Sequence, residues 1–119
     1  MTDQTPPALP LSKFRKAGGF LFVSGQLPRG EGGQIVAGDI KVQTRQALSN
    51  LVAILEANGA GPKDVVKVTG WVTDLALVGA FNEVYREFFE PPYPARSVVA
   101  SGLAAGADVE VEAIAYIGE

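Results

Sequence analysis

Residues 108–117, DVEVEAIAYI, alternate between two kinds of side chain. This period of two predicts a β-strand with two different faces. The small apolar set suits packing beneath helices and comprises Val109, Val111, Ala113, Ala115 and Ile117. The other set comprises Glu110, Glu112, Ile114 and Tyr116. The stretch therefore predicts a strand that is covered on one face only.

Two segments repeat their apolar residues at the helical period instead. The first begins after Asp39, a residue type that caps helix N-termini, and ends at Asn58-Gly59. The second stops at Pro91-Pro92. The stripes are Ile40, Thr44, Ala47, Leu48, Leu51, Ile54 and Leu55 in the first helix, and Leu77, Phe81, Val84, Tyr85 and Phe88 in the second.

Three further runs predict strands: residues 20–23, 65–73 and 95–101, the last as a buried strand. In the middle run, one face carries Val66, Val68, Gly70 and Val72, and the other Lys67, Thr69, Trp71 and Thr73. The elements follow the order β, α, β, α, β, β. This order predicts an α+β domain in which two helices cover one face of a sheet.

The uncovered face should carry Trp71, Ile114 and Tyr116, with Arg96 at one end. A solvent-facing sheet does not normally expose such residues together, and two helices cannot cover both faces. We therefore expect an oligomer whose sheets pack against one another.

Length and composition limit the possible functions. A chain of 119 residues, 47% of them apolar, fits one domain over residues 11–119, preceded by a flexible, proline-rich arm over residues 1–10. No apolar run approaches the ~20 residues of a membrane span, and no leader pattern precedes the domain, so we expect a cytoplasmic protein without membrane contact.

The missing residue types exclude several chemistries. The chain has no cysteine and no histidine, which rules out a thiol nucleophile, a Ser-His-Asp triad and an imidazole metal site. We expect neither a metal nor a cofactor. Nucleic acid is an improbable partner because the net charge is −3 and the one basic cluster, Lys13, Arg15 and Lys16, is typical of a solvated strand edge.

The stretch PPYPARSVVASG, residues 91–102, places a single arginine between a proline-rich turn and the predicted buried strand. A buried guanidinium is costly unless an anion meets it. That anion can be Glu110 or Glu112 of the protein, or the carboxylate of a ligand. The residue pattern alone leaves both interpretations of Arg96 open.

Several segments in order resemble one known family: FLFVSGQLP, QTRQALSNLVAILEANGAGPKDVVKVTGWVTDL, FNEVYREFF, YPARSVV and VEVEAIAY. They resemble the RidA/YjgF family of reactive-intermediate (imine/enamine) deaminases, over about residues 18–117. The resemblance implies a chorismate-mutase-like α+β fold with a mixed sheet. It also implies a homotrimer with a central β-barrel and small-molecule clefts between subunits.

The resemblance also implies roles for individual residues. Arg96 stands where the family binds the carboxylate of a 2-imino or 2-amino-enoic acid, and Glu110 where a glutamate handles the attacking water. A guanidinium fork fits a carboxylate bidentately, and a carboxylate with a raised pKa can carry protons in both directions. We interpret Glu112 as a polar interface residue.

The resemblance also implies which residues form the wall of the cleft. Ser24 and Gly25 match the family's SGQ turn, where main-chain groups meet the ligand and glycine allows close approach. Phe88 and Phe89 either wall the cleft or belong to the core. Two positions depart from the family: Leu11 replaces the tyrosine of its GPYSQ stretch, and Val98 replaces a frequent cysteine. Both make the pocket more apolar.

Three functions follow as hypotheses. The first is hydrolytic deamination of small 2-imino or enamino acids, anchored by Arg96 and served by Glu110. The second is a non-catalytic member that binds small carboxylates or a protein partner. The third is the endoribonuclease activity after which some relatives are named (L-PSP).

Overall fold

The computed structural model describes residues 9–118. Of the predicted arm, residues 1–8 lie outside the described residues. No helix within residues 9–118 is long and apolar enough to cross a membrane.

The described chain forms five strands and two helices. The strands are β1 Phe14–Ala17, β2 Phe20–Gln26, β3 Val65–Val72, β4 Ala95–Ala100 and β5 Val109–Tyr116, and the helices are α1 Ile40–Ala57 and α2 Val78–Phe88. Strand β1 is absent from the predicted order. Its four residues are all exposed, so no apolar period marks it.

The strands form one mixed sheet in the order β1-β2-β5-β3-β4. Strands β3 and β4 are parallel because helix α2 connects them, and the other neighbours are antiparallel. Strand β5 therefore lies at the centre and β4 at one edge. The α+β class and the mixed sheet with two helices on one face agree with the prediction.

The core lies between the helices and one face of this sheet. Helix α1 begins after Asp39, whose carboxylate accepts a hydrogen bond from the Val42 N–H at 3.1 Å, and ends before Asn58, as predicted. Along β5, Val109, Val111, Ala113 and Ala115 are buried, and the alternate residues are not. The strict alternation of residues 108–117 thus decides which face the helices cover.

Two strand predictions are wrong. Val66 does not share the covered face with Val68, because a register shift between Val65 and Lys67 turns Val65 into the core and leaves Val66 exposed. Strand β4 is not buried in the single chain. As an edge strand it has a neighbour on one side only, and only Val98 is even half-buried.

Candidate functional site

Arg96 lies on the helix-covered side of the sheet, at its edge, where it is exposed, so the prediction of a buried guanidinium is wrong for the single chain. In the parallel register of β3 and β4 it is the partner of Val68, which is fully buried beneath the helices. Paired residues of neighbouring strands point to the same face, so the prediction that Arg96 borders the open face is wrong. The face of an edge strand depends on its register with β3, which the sequence does not reveal.

Two aromatic rings of α2 support the guanidinium of Arg96. Its Cζ atom lies 4.7 Å from the ring centroid of Tyr85 and 5.5 Å from that of Phe81. Such cation–π contacts hold a guanidinium by its flat face and leave its N–H groups directed outward. Gly70 makes room for this stack, because a Cβ atom there would lie 3.1 Å from Cζ of Phe81.

Tyr85 itself is a neutral, buried phenol. Burial raises its pKa to about 12, against a smaller lowering by the charge of Arg96. Among the described residues, its hydroxyl and the buried Oδ1 of Asn82 have no hydrogen-bond partner. Unpaired buried polar atoms are uncommon and call for an explanation such as a water or a ligand.

A cavity of about 240 Å³ opens beside this stack. Its lining consists of Asn82, Tyr85, Arg86, Tyr93, Pro94 and Arg96. No carboxylate is among these lining residues, so the cavity is positively charged. Tyr85 was predicted only as part of an apolar stripe, and Tyr93 was not singled out. Tyr93 lies in the proline-rich turn before Arg96, so the sequence placed it near the arginine. Tyr85 lies beside Arg96 only because β4 pairs with β3, and the sequence does not reveal that pairing.

Glu110 lies on the open face of the sheet. It is the partner of Trp71 on β3, and a Cβ atom at Gly25 of β2 would collide with its carboxylate. Glycine at position 25 therefore makes the space that Glu110 occupies. Burial raises the pKa of Glu110, and the nearby charge of Glu112 raises it further. A carboxyl with a raised pKa suits proton transfer near neutral pH.

Arg96 and Glu110 do not meet within one chain. Strand β3 lies between their two strands. Trp71 of β3 pairs with Glu110 on one side and with Val99 on the other, and Val99 is three residues along β4 from Arg96. Standard sheet spacings therefore place the Cα atoms of Arg96 and Glu110 about 14 Å apart. Their side chains also point to opposite faces. The alternative that Arg96 forms an ion pair with Glu110 or Glu112 is therefore wrong for the single chain.

The remaining predicted residues lie in two other places. Ser24 lines a hollow with Glu112, and its hydroxyl donates to the Ser12 carbonyl at 2.5 Å. Phe88 and Phe89 line a third hollow at the end of α2. Phe89 is buried, and its ring centroid lies 4.6 Å from that of Tyr85, so it packs behind the ring that supports Arg96.

The two positions that depart from the family pattern lie apart. Leu11 is mostly exposed, and Val98 is half-buried close to Gly70. Within residues 9–118 no group of three or more acidic side chains is arranged to hold a metal ion.

Comparison with known proteins defines the class. The family model described as Endoribonuclease L-PSP matches residues 1–117. A RutC family protein of Pyrococcus horikoshii is 48% identical over 97% of this chain and 94% of its own. The 2-iminobutanoate/2-iminopropanoate deaminase of Dermatophagoides farinae is 37% identical over 93% of this chain and 88% of its own.

Solved structures agree with this assignment. RidA from an Antarctic Psychrobacter superposes with a TM-score of 0.87 at 38% identity, covering 98% of this chain and 97% of its own. Escherichia coli TdcF with bound serine superposes with a TM-score of 0.83 at 35% identity, covering 98% and 95%. The chain belongs to the RidA/YjgF family, which includes reactive intermediate deaminases, and the resemblance predicted from the sequence is confirmed.

Proposed function

We propose that the protein hydrolyses small 2-imino and enamino acids to 2-oxo acids and ammonia. The observation that carries this proposal is the setting of Arg96. Its guanidinium is held by two rings, has no carboxylate partner among residues 9–118, and borders a cavity without acidic lining. Relatives named as deaminases of 2-imino acids, and a relative with bound serine, support a small carboxylate as its ligand.

In this proposal Arg96 anchors the substrate carboxylate. Its N–H fork makes two charge-assisted hydrogen bonds, which are about twice as strong as neutral ones. The aromatic stack fixes the guanidinium plane before the substrate arrives, so little side-chain entropy is lost on binding. Arg96 thereby determines where the C=N carbon lies.

Glu110 then handles the water. The protonated imine R–C(=NH₂⁺)–COO⁻ takes up one water at carbon to give a carbinolamine, and Glu110 accepts a proton from that water. It returns the proton to nitrogen, the C–N bond breaks as Glu110 takes the hydroxyl proton and passes it to the leaving ammonia, and R–CO–COO⁻ and NH₄⁺ leave. The raised pKa of Glu110 allows both transfers. The main chain at Ser24 and Gly25 is proposed to line the same cleft.

The separation of Arg96 from Glu110 requires a second subunit. We propose a homotrimer in which open sheet faces form a central barrel and Arg96 of one subunit faces Glu110 of the next. The open face supports this arrangement, because Phe20, Phe22 and Tyr116 are 37%, 43% and 46% exposed and pack against one another. Size-exclusion chromatography with light scattering should give three times the chain mass, and a monomer would contradict the proposal.

Phe89 is assigned a supporting position behind Tyr85, because their ring centroids lie 4.6 Å apart, and Phe88 stays a proposed part of the cleft wall. The cytoplasmic location stays a prediction, and relatives named as mitochondrial or chloroplastic occur in the same family.

The test is the release of ammonia and 2-oxo acid from imines generated in place by an amino-acid oxidase. We expect acceleration over spontaneous hydrolysis of 2-iminopropanoate that is lost in Arg96→Ala. Absence of acceleration, with an intact oligomer that still binds small carboxylates in calorimetry, would favour the non-catalytic alternative.

The name of the family model makes RNA cleavage the second candidate function. A net charge of −3 and the absence of histidine count against it. Salt-dependent RNA binding together with cleavage that is lost in Arg96→Ala would favour this candidate over deamination.

A further inference from the structure

A second arginine lines the same cavity as Arg96. Arg86 lies in the last part of α2, one residue after Tyr85, and its side chain is exposed. The residue played no part in the proposed deamination. Arg86 and Arg96 are the two charged side chains among the six that line the 240 Å³ cavity. The cavity thus presents two positive charges and no negative one.

The carboxylates nearest to Arg86 along its helix are engaged elsewhere. Glu83, three residues earlier, forms an ion pair with Lys41 of α1 at 2.6 Å; Lys41 is the main cause of its lowered pKa, and the charge of Arg86 contributes least. Glu87, the next residue, accepts two hydrogen bonds from the guanidinium of Arg45 at 2.9 and 2.7 Å. Lys41 and Arg45 of helix α1 therefore pair with the two carboxylates that Arg86 could otherwise pair with.

One further carboxylate lies close in sequence. Glu90 follows the end of α2 and lines the neighbouring hollow, which Arg86 and Lys63 also border. Among residues 9–118, no ion pair joins Glu90 to Arg86. Arg86 is thus a cation at a cavity mouth without a carboxylate partner in the described chain.

The remaining lining suits an extended polar ligand. Tyr85 is 4% exposed, and its unpartnered hydroxyl can donate to a ligand carboxylate, whereas the unpartnered Oδ1 of Asn82 can only accept, for example from the imine N–H. Pro94 and the half-exposed ring of Tyr93 provide apolar wall beside them. A ligand that crosses this cavity from Arg96 to Arg86 would carry an anionic group at each end.

We infer that the preferred substrates are 2-imino dicarboxylic acids, with the first carboxylate on Arg96 and the side-chain carboxylate on Arg86. This inference rests on the proposed deaminase function. Arg86 then acts as a specificity-determining residue, because it contacts a part of the substrate distant from the C=N bond. Removing its charge should weaken recognition of dicarboxylates and leave monocarboxylates unaffected.

The experiment compares two imines that are made in place by amino-acid oxidases: 2-iminoglutarate from glutamate and 2-iminopropanoate from alanine. In Arg86→Gln, kcat/KM for 2-iminoglutarate should fall about fivefold, the upper end of the range for an exposed ion pair, and kcat/KM for 2-iminopropanoate should stay within about twofold. Lys63→Gln is the matched control, since Lys63 borders only the neighbouring hollow, and it should change neither value.

Equal effects of Arg86→Gln on both imines, or no effect on either, would overturn the dicarboxylate inference while leaving deamination intact. Calorimetry with 2-oxoglutarate and pyruvate tests the inference separately from turnover. If neither imine is hydrolysed, the proposed function fails, but selective weakening of 2-oxoglutarate binding in Arg86→Gln still supports the site. Equal binding of 2-oxoglutarate by both proteins would overturn the inference.

Discussion

The two faces of the sheet place the two proposed catalytic residues in opposite surroundings. On the covered face, the helices close a core with fully buried Leu51 and Val68, and the rings of α2 support Arg96 at its edge. On the open face, Glu110 shares its surface with half-exposed aromatic side chains such as Phe22. One chain therefore completes its core, whereas the proposed site, which draws on both faces, needs a second subunit.

The largest expected effect concerns Arg96, the charge at the edge of the covered face. Arg96→Ala should lower kcat/KM about 1000-fold, because two charge-assisted hydrogen bonds to the substrate carboxylate are lost. The free energy of unfolding should fall by only about 1 kcal/mol, since the residue makes no ion pair in the described chain and loses two cation–π contacts at an exposed position. Arg45→Ala is the control: it removes a paired, exposed arginine and should leave imine hydrolysis unchanged. Equal losses in both variants would contradict the role of Arg96.

The next largest effect is the difference between the contributions of the two faces to the free energy of unfolding. Leu51→Ala should lower the free energy of unfolding by about 3 kcal/mol, because it leaves a cavity in the core. Phe22→Ala on the open face should weaken the oligomer more than the subunit fold. Urea titration and light scattering at several protein concentrations measure both. If Phe22→Ala lowers the free energy of unfolding as much as Leu51→Ala does, at every protein concentration, the open face needs no partner.

A smaller effect is expected from the carboxylate on the open face. Glu110→Gln should lower kcat about 100-fold, because proton transfer by a positioned side chain contributes at least this factor. KM should change little, since the carboxylate anchor is unaffected. Steady-state kinetics with 2-iminopropanoate distinguish the two parameters. A rise in KM with unchanged kcat would place Glu110 in binding and not in proton transfer.

The smallest effect is the pH dependence of stability. Because burial and the charge of Glu112 raise the pKa of Glu110 in the folded single chain, folding of the subunit favours its protonated form. That contribution is present below the unfolded pKa and is lost as the pH rises through the folded pKa. Glu110→Gln should therefore be more stable than the wild type at pH 7 and similar to it at pH 4. Urea titrations at the two pH values and one protein concentration check this, and the reverse order would contradict the raised pKa.

The sequence predicted the elements whose pattern is local. Helix α1 has its cap, stripe and stop within its own residues, and β5 alternates without interruption. The bulge at Val65–Lys67 and the exposed strand β1 left no such pattern. Arg96 stood out in the sequence as an unusual charge, but its face depends on the pairing of β3 with β4, whose partner residues are 28 positions apart in the chain. Tyr85 and Arg86 line the cavity beside Arg96 because of the same pairing, which the sequence does not reveal.

The most direct measurement of the central claim mixes two inactive variants. Arg96→Ala and Glu110→Gln subunits are combined in equal amounts, exchanged under mild denaturant and returned to buffer. If each site takes Arg96 from one subunit and Glu110 from its neighbour, random mixing in a cyclic trimer should restore about one quarter of wild-type sites. Activity that stays at the level of the separate variants, with subunit exchange verified, would contradict a site shared between subunits.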